Sequence, residues 1–213
     1  MLNKNIRIAF FGNSEFSLIV VEELKKLGIM PDLIVTTPDK PQGRKMVLTP
    51  SVTKVWAENN SIEYVEPIKL KDSDFIKKIS EYNLFIVASY GKIIPEVLIS
   101  IPKYRILNVH PSLLPKYRGP SPLQEQILND EKEVGISIML IDKAVDHGAI
   151  LAQKIVGVRD WPVGFNSLQN ILAKEGSKLL AEILPDWISG KVKAKEQNHN
   201  DATFTKKAEK SDG

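Results

Sequence analysis

The sequence predicts an open, doubly wound α/β domain with a mostly parallel sheet and an antiparallel strand pair late in the chain. Three observations predict it. Short apolar runs alternate with amphipathic helical stretches from the first strand onward. The early runs lack polar alternation, as expected of strands covered on both faces. Beyond Val134 the rhythm changes: Val134, Ile136, Ile138 and Leu140 alternate with Gly135, Ser137 and Met139, and a second extended run follows shortly after, which suggests an antiparallel pair.

Taken in order, Ile6 to Phe11 (IRIAFF) reads as the first strand. Gly12 turns the chain into a helix from Ser17 to Leu27, where Leu18, Val21, Leu24 and Leu27 recur at helical spacing, and Gly28 stops it. Asp32 to Thr37 (DLIVTT) is the second strand, which completes a β-α-β unit. The stretch PDKPQGRKMVLTPS, rich in Pro, Gly and basic residues, is expected to be a long loop, and loops of that length in compact domains are often functional. Val52 to Asn59 resumes as a helix and Ile62 to Val65 as a short strand. Ser73 to Ser80 is another helix, Leu84 to Ala88 a strand, Glu96 to Ile99 a short helix, and Ile106 to His110 the next strand. Then Val134 to Leu140 and Ile150 to Val158 form the antiparallel pair. Asn166 to Leu184 is the last long helix, with Leu168, Ile171, Leu172, Leu179, Leu180, Ile183 and Leu184 as its buried stripe and Pro185 ending or kinking it. The tail from Lys191 is polar and basic.

Composition narrows the chemistry. With 213 residues, 43% of them hydrophobic and 26% charged, the chain can bury a substantial core. It has no cysteine, which removes disulfide frameworks, thiol nucleophiles and Cys-based zinc sites. No signal-like segment and no bilayer-length apolar run is present, so no membrane partner is expected and the cytoplasm is the default location. A formal charge of +3 does not by itself argue for nucleic acid.

The first βα turn, Gly12-Asn13-Ser14-Glu15-Phe16-Ser17, lacks the later glycines of G-x-G-x-x-G, and no phosphate-loop motif occurs. Gly12 reads as a structural turn. In open α/β sheets ligands bind outside the carboxyl ends of the strands. Three segments fall there: VASYG (Val87 to Gly91), LNVHPSLLP (Leu107 to Pro115) and DKAVDHG (Asp142 to Gly148). Side chains two apart on a strand share a face, so Asn108 and His110 can enter one pocket. An amide and an imidazole there could polarise a carbonyl, and Asp146 on a returning loop could orient and charge the imidazole or take a proton. On these residues alone a hydrogen-bonded structural histidine is the favoured reading. No H-x-x-x-H or H-E-x-x-H spacing supports a metal site from His110, His147 and Asp146, so no metal is expected.

NVHPSLLPKYRGPSPLQ resembles the signature of the folate-dependent formyltransferases, in which an Asn, a His and a downstream Asp form the catalytic set and Ser-Leu-Leu-Pro follows the His. Those positions are Asn108, His110 and Asp146, with Ser112, Leu113, Leu114 and Pro115 as the S-L-L-P element. PDKPQGRKMVLTPSVTKVWAENNS is similar to the early loop and helix of family members that act on methionyl-tRNA, ASYGKIIP to another family element, and ATFTKK to the segment that closes the catalytic domain.

The resemblance implies a Rossmann-like formyltransferase fold. It implies transfer of the formyl group of 10-formyltetrahydrofolate, a co-substrate, to the α-amino group of initiator methionyl-tRNA by direct amine attack, in support of translation initiation. Folate is expected near Ser89, Tyr90, Gly91 and Ile93 and the Ser112 to Pro115 turn. Lys40, Arg44 and Lys45 are expected to meet tRNA phosphates, a contact that weakens with salt. Lys116 and Arg118 could supplement them. Residues 1–207 are expected to form the catalytic domain of a monomer and 208–213 the start of a linker to a C-terminal domain absent from this chain. Formylation of an amino sugar or another small amine, hydrolysis of 10-formyltetrahydrofolate and a non-catalytic binding domain are the alternatives.

Overall fold

The computed structural model describes residues 5–207 apart from Arg44 and Asp160. In chain order it contains β1 (Ile8–Phe11), α1 (Glu15–Lys26), β2 (Leu33–Val35), β3 (Lys40–Gln42), β4 (Val47–Thr49), α2 (Val52–Asn59), β5 (Glu63–Val65), α3 (Ser73–Ile79), β6 (Leu84–Val87), α4 (Glu96–Ile99) and β7 (Ile106–His110). There follow α5 (Pro122–Leu128), β8 (Gly135–Leu140), β9 (Ile150–Ile155), α6 (Phe165–Ile188) and a 3-10 turn at His199–Asp201. The strand order is β5-β2-β1-β6-β7-β8-β9, with β3 and β4 in a sheet of their own. Two compact units, Met1–Leu107 and Asn108–Gly213, meet inside the sequence of β7.

In the first unit β1 pairs in parallel with β2 and β6, and β2 with β5. Every residue of β1, β2 and β6 is buried, which explains why their sequences show no alternation. Helix α1 begins at Ser14, whose side chain and that of Ser17 cap each other's backbone. Its buried face is Phe16, Val20, Val21 and Leu24. The turn before it requires glycine for space: a Cβ on Gly12 would lie 2.5 Å from that of Ser17. Ser17 Oγ donates onward to Ala88 O at 2.5 Å, and Thr53 Oγ1 donates to Gly12 O at 2.7 Å. The turn is a structural joint, as the missing glycines suggest.

The long loop after β2 is not irregular throughout. It contains an antiparallel hairpin, with Lys40 opposite Thr49, Pro41 opposite Leu48 and Gln42 opposite Val47. Gly43 and Met46 take positive φ of 67° and 51° in its turn. Three paired residues per strand are too few to give a periodic signal, and Pro41 masks the strand character of β3.

In the second unit β8 and β9 run antiparallel, with an irregularity between Ile138 and Met139. Helix α6 packs on both strands through Leu168, Leu172, Leu179, Leu180 and Leu184. A Cβ on Gly176 would lie 2.7 Å from Val109 Cγ1 and 2.9 Å from Ile136 Cγ1, so this glycine sets how closely the helix approaches. Pro185 lies inside α6, which continues to Ile188. The last turn holds because Pro185 still offers its carbonyl, which accepts Ser189 N–H at 3.0 Å. Helix α5, absent from the expectations, starts with Pro122 at its first position, where a missing N–H costs nothing.

The tail from Lys191 is anchored to its unit. Lys195 and Ile150 exchange both backbone hydrogen bonds at 2.8 Å. Arg118 N donates to Thr203 O at 2.9 Å, and Thr205 N donates to Arg118 O at 2.7 Å. Residues 208–213, expected to open a linker, lie outside the described residues. Among those described, no helix is long and apolar enough to cross a membrane.

Candidate functional site

Strand β7 ends at His110 and presents Asn108 two residues earlier. The pleat puts both side chains on one face. The loop between β8 and β9 returns Asp146 to that face: Asn108 Nδ2 donates to Asp146 Oδ1 at 3.4 Å. His110 Nδ1 lies 3.6 Å from the same oxygen, with both side chains largely buried at 5% and 14% exposure. The other carboxylate oxygen of Asp146 accepts the Gly119 N–H at 2.8 Å. All three expected catalytic residues are thus assembled within the second unit.

The imidazole is held from behind. His110 Nε2 is 3.1 Å from Tyr117 O, and since a carbonyl can only accept, Nε2 carries the proton there. Tyr117 has φ of 59°, and its own N–H is bound by Thr203 Oγ1 at 2.8 Å. Nδ1 is left facing Asp146, whose same carboxylate oxygen meets the Asn108 amide. An amide donor, a ring nitrogen and a carboxylate therefore converge on one place, a set able to stabilise a developing oxyanion and to move a proton.

The loop that carries Asp146 is tightly built. Asp146 itself adopts φ of 48°, a left-handed conformation that short polar side chains tolerate better than most. Gly148 has no room for a side chain, because a Cβ would sit 2.0 Å from Leu140 O. Asp142 Oδ1 accepts Ala144 N–H at 2.9 Å, and His147 Nδ1 lies 2.7 Å from Asp142 Oδ2. His147 stacks on His199 with ring centroids 4.0 Å apart. Among the described residues no group of three or more His, Asp or Glu is placed to hold a metal ion.

The turn after β7 uses most of its polar groups internally. Ser112 Oγ donates to Lys116 O at 2.7 Å, Leu114 N donates to Ser137 Oγ at 3.1 Å, and Gln153 Nε2 donates to Leu114 O at 2.8 Å. Ser112 and Leu114 are buried. Leu113 and Pro115, by contrast, border an open cleft of about 250 Å³ with Lys116, Tyr117, Gln126, Glu133 and Asp201. In the first unit Ser89, Gly91 and Ile93 are exposed and Tyr90 is buried. The Tyr90 hydroxyl has no hydrogen-bond partner among the described residues, and burial pushes its pKa above the usual tyrosine value.

Lys40 and Lys45 are exposed on and beside the hairpin, while Arg44 lies outside the described residues. Lys92, not singled out by its sequence, stands near Lys40: burial first, and then the charge of Lys40, hold its ammonium below the usual lysine range. Lys116 is exposed as expected, 3.8 Å from Glu131 Oε2. Arg118 is not available to an outside anion. It is 3% exposed, and its guanidinium is taken by Gln197 Oε1 at 3.2 and 2.6 Å and by His199 Nδ1 at 2.8 Å. A basic residue in a loop reads as solvated, and only the returning tail reveals its partner. Gln197 likewise gave no signal in a polar stretch.

Comparison with known proteins adds the following. A family model described as formyl transferase matches residues 6–184. The chain is 40% identical over 202 residues to a methionyl-tRNA formyltransferase of Halalkalibacterium halodurans, covering 93% of this chain and 63% of that protein. It is 41% identical over 210 residues to a methionyl-tRNA formyltransferase of Dictyoglomus thermophilum, covering 96% of this chain and 66% of that one. The chain therefore spans just under two thirds of the length of these curated relatives. Among solved structures it is similar to a sugar N-formyltransferase from a Shewanella species, with TM-score 0.69 and 19% identity over 94% of this chain and 76% of that one. It is also similar to a phosphoribosylglycinamide formyltransferase from Streptococcus pneumoniae, with TM-score 0.67 and 18% identity over 86% of this chain and 99% of that one. These two likenesses establish the fold.

Proposed function

We propose, from the premise that this chain belongs to the formyl transferase family, that it transfers the formyl group of 10-formyltetrahydrofolate to the α-amino group of methionine on initiator tRNA, in the cytoplasm. The observation that carries the chemistry is the convergence of Asn108 and His110 on Asp146, at 3.4 and 3.6 Å. The names of the curated relatives support methionyl-tRNA as the acceptor.

In this reading the neutral amine attacks the formyl carbon, a C–N bond forms, and negative charge grows on the formyl oxygen. Asn108 Nδ2 has a second hydrogen beyond the one aimed at Asp146. The separation of His110 Nδ1 from the carboxylate is longer than a strong charge-assisted bond, so Nδ1 can donate to the oxyanion when the ring carries both protons. Asp146 balances that charge and accepts the proton released by the amine, directly or through water. The proton then reaches the folate nitrogen as its bond to the formyl carbon breaks. Every bond is made and broken without a covalent enzyme intermediate.

The donor is held by Ser89, Tyr90, Gly91 and Ile93, of which Ser89, Gly91 and Ile93 are exposed. In the second unit Leu113 and Pro115 border the open cleft, while the hydroxyl of Ser112 is committed to Lys116 O. Lys40, Arg44 and Lys45 meet tRNA phosphates.

The test is to incubate the protein with 10-formyltetrahydrofolate and charged initiator tRNA, then with amino sugars, then with water alone. Formyl incorporation into methionyl-tRNA is expected. Transfer to a sugar amine without tRNA-dependent transfer, or folate release with no acceptor, would replace this reading with small-amine formylation or hydrolysis.

A further inference from the structure

Asp146 does its work from a loop in an unfavourable backbone conformation, and something must hold it there. The structure points to Gln197. Its side chain is 6% exposed, and its amide nitrogen donates twice, to Asp146 O at 2.9 Å and Gly148 O at 2.8 Å. These carbonyls bracket the turn that aims the Asp146 carboxylate. The amide oxygen of Gln197 is gripped from the other side by Arg118 Nε at 3.2 Å and a terminal guanidinium nitrogen at 2.6 Å. Because a guanidinium can only donate, the orientation of the Gln197 amide is fixed: oxygen to Arg118, nitrogen to the loop.

Arg118 is fixed in turn. The same terminal nitrogen donates to His199 Nδ1 at 2.8 Å, and His199 stacks on His147 of the Asp146 loop, with the rings within 5° of parallel. The residue after Arg118 closes the circuit, since Gly119 N–H donates to Asp146 Oδ2 at 2.8 Å. The tail and the segment after β7 thereby clamp both the backbone and the carboxylate of Asp146.

We propose that Gln197 is a positioning residue: through the Arg118 clamp it holds the Asp146 backbone so that the carboxylate faces Asn108 and His110. The proposal rests on the formyl-transfer reading for its catalytic consequence. Small misplacement of a reacting group costs rate out of proportion to its effect on stability.

Gln197→Glu separates this role from simple anchoring of the tail. A glutamate keeps an acceptor for Arg118 and makes the pair ionic, so the tail stays docked. It removes both N–H donors and sets carboxylate oxygens against the Asp146 and Gly148 carbonyls, so the loop is released. Two readouts are taken. In the 15N-labelled protein the Gly119 amide, which reports the Asp146 carboxylate whether or not the protein is active, should exchange with solvent about tenfold faster or more. In the transfer assay kcat should fall about tenfold or more, with KM for 10-formyltetrahydrofolate changed by less than about twofold and Tm nearly unchanged. Gln197→Glu combined with Asp146→Asn should be no slower than Asp146→Asn alone. Gln197→Asn, which keeps the amide but withdraws it by one methylene, should give the same pattern in weaker form and stands in if the glutamate variant does not fold.

Unchanged Gly119 exchange, unchanged kcat, or a fall in Tm that accounts for losses in kcat and KM together would each overturn the proposal. If the unaltered protein passes a formyl group to no acceptor, the formyl-transfer reading fails by itself, and Gly119 exchange still decides whether Gln197 holds Asp146.

Discussion

The side-chain amide of Asn108 donates to a carboxylate oxygen of Asp146 across 38 positions of sequence, at 3.4 Å. The oxygen it meets is the one that His110 Nδ1 faces at 3.6 Å. A single carboxylate oxygen shared by two neighbours makes their roles interdependent, and the first prediction follows from that sharing.

His110→Ala and Asp146→Asn should each slow formyl transfer by about a hundredfold or more, the usual scale for loss of a general acid/base or an oxyanion-stabilising group. Asparagine is the better probe at 146 because it tolerates the positive φ there and can still accept the Gly119 N–H. The effects should be strongly non-additive in the double variant, since each group acts through the other. Single-turnover rates measure this, and near-normal turnover in either single variant would remove that residue from the mechanism.

Removal of charge from the hairpin should separate the two substrates. Lys40→Ala and Lys45→Ala, both at exposed positions, should weaken use of tRNA and each lower the slope of log affinity against log salt by about one. Binding of 10-formyltetrahydrofolate should be unaffected. Equal loss toward both substrates would place these lysines at the folate instead.

Gly176→Ala tests the close approach of α6 to the sheet. Alanine gains about 1 kcal/mol of helix propensity over glycine, yet its Cβ would stand 2.7 Å from Val109 Cγ1 and 2.9 Å from Ile136 Cγ1. Overpacking of this kind costs about 1 to 3 kcal/mol, so the clash outweighs the propensity gain and the variant should be less stable by urea denaturation. Val109 separates Asn108 from His110 on β7, so the site should loosen too. A stabilised variant would mean that the helix moves away without cost.

The pairing of Glu175 with Lys154 and Lys178 gives a pH-dependent increment. Hydrogen bonds from Lys154 and then Lys178, both at 2.7 Å, hold the Glu175 carboxyl below the usual glutamate range. A carboxyl lowered on folding contributes stability that is present above its unfolded value and fades as pH falls through its folded value. Both lysines are about half exposed, at 43% and 49%, so screening by water limits the contribution. Glu175→Gln should cost about 0.5 kcal/mol at neutral pH and nothing once the pH is well below the glutamate range. Urea denaturation at the two pH values checks it, and a cost that persisted in acid would point to packing rather than charge.

Much of this protein is legible without coordinates, because its strongest signals are local. The apolar runs of β1, β2 and β6 announce strands covered on both faces. The apolar stripe of α6 follows from helical spacing. The common face of Asn108 and His110 follows from the two-residue repeat of a strand. The β3–β4 hairpin escaped because its ladders are too short to be periodic. Pro185 does not end α6, because a proline near a helix end forfeits one hydrogen bond while the turn beyond it can still form. What only the tertiary structure decided is which polar group meets which. Arg118 reads as a cation for an outside anion, and it becomes a buried clamp only because Gln197 arrives from 79 residues away. Local sequence sets the shape of each element, since that depends on neighbours along the chain. The partner of a buried polar group is whatever the fold brings within 3 Å or so, and no spacing rule along the chain encodes it.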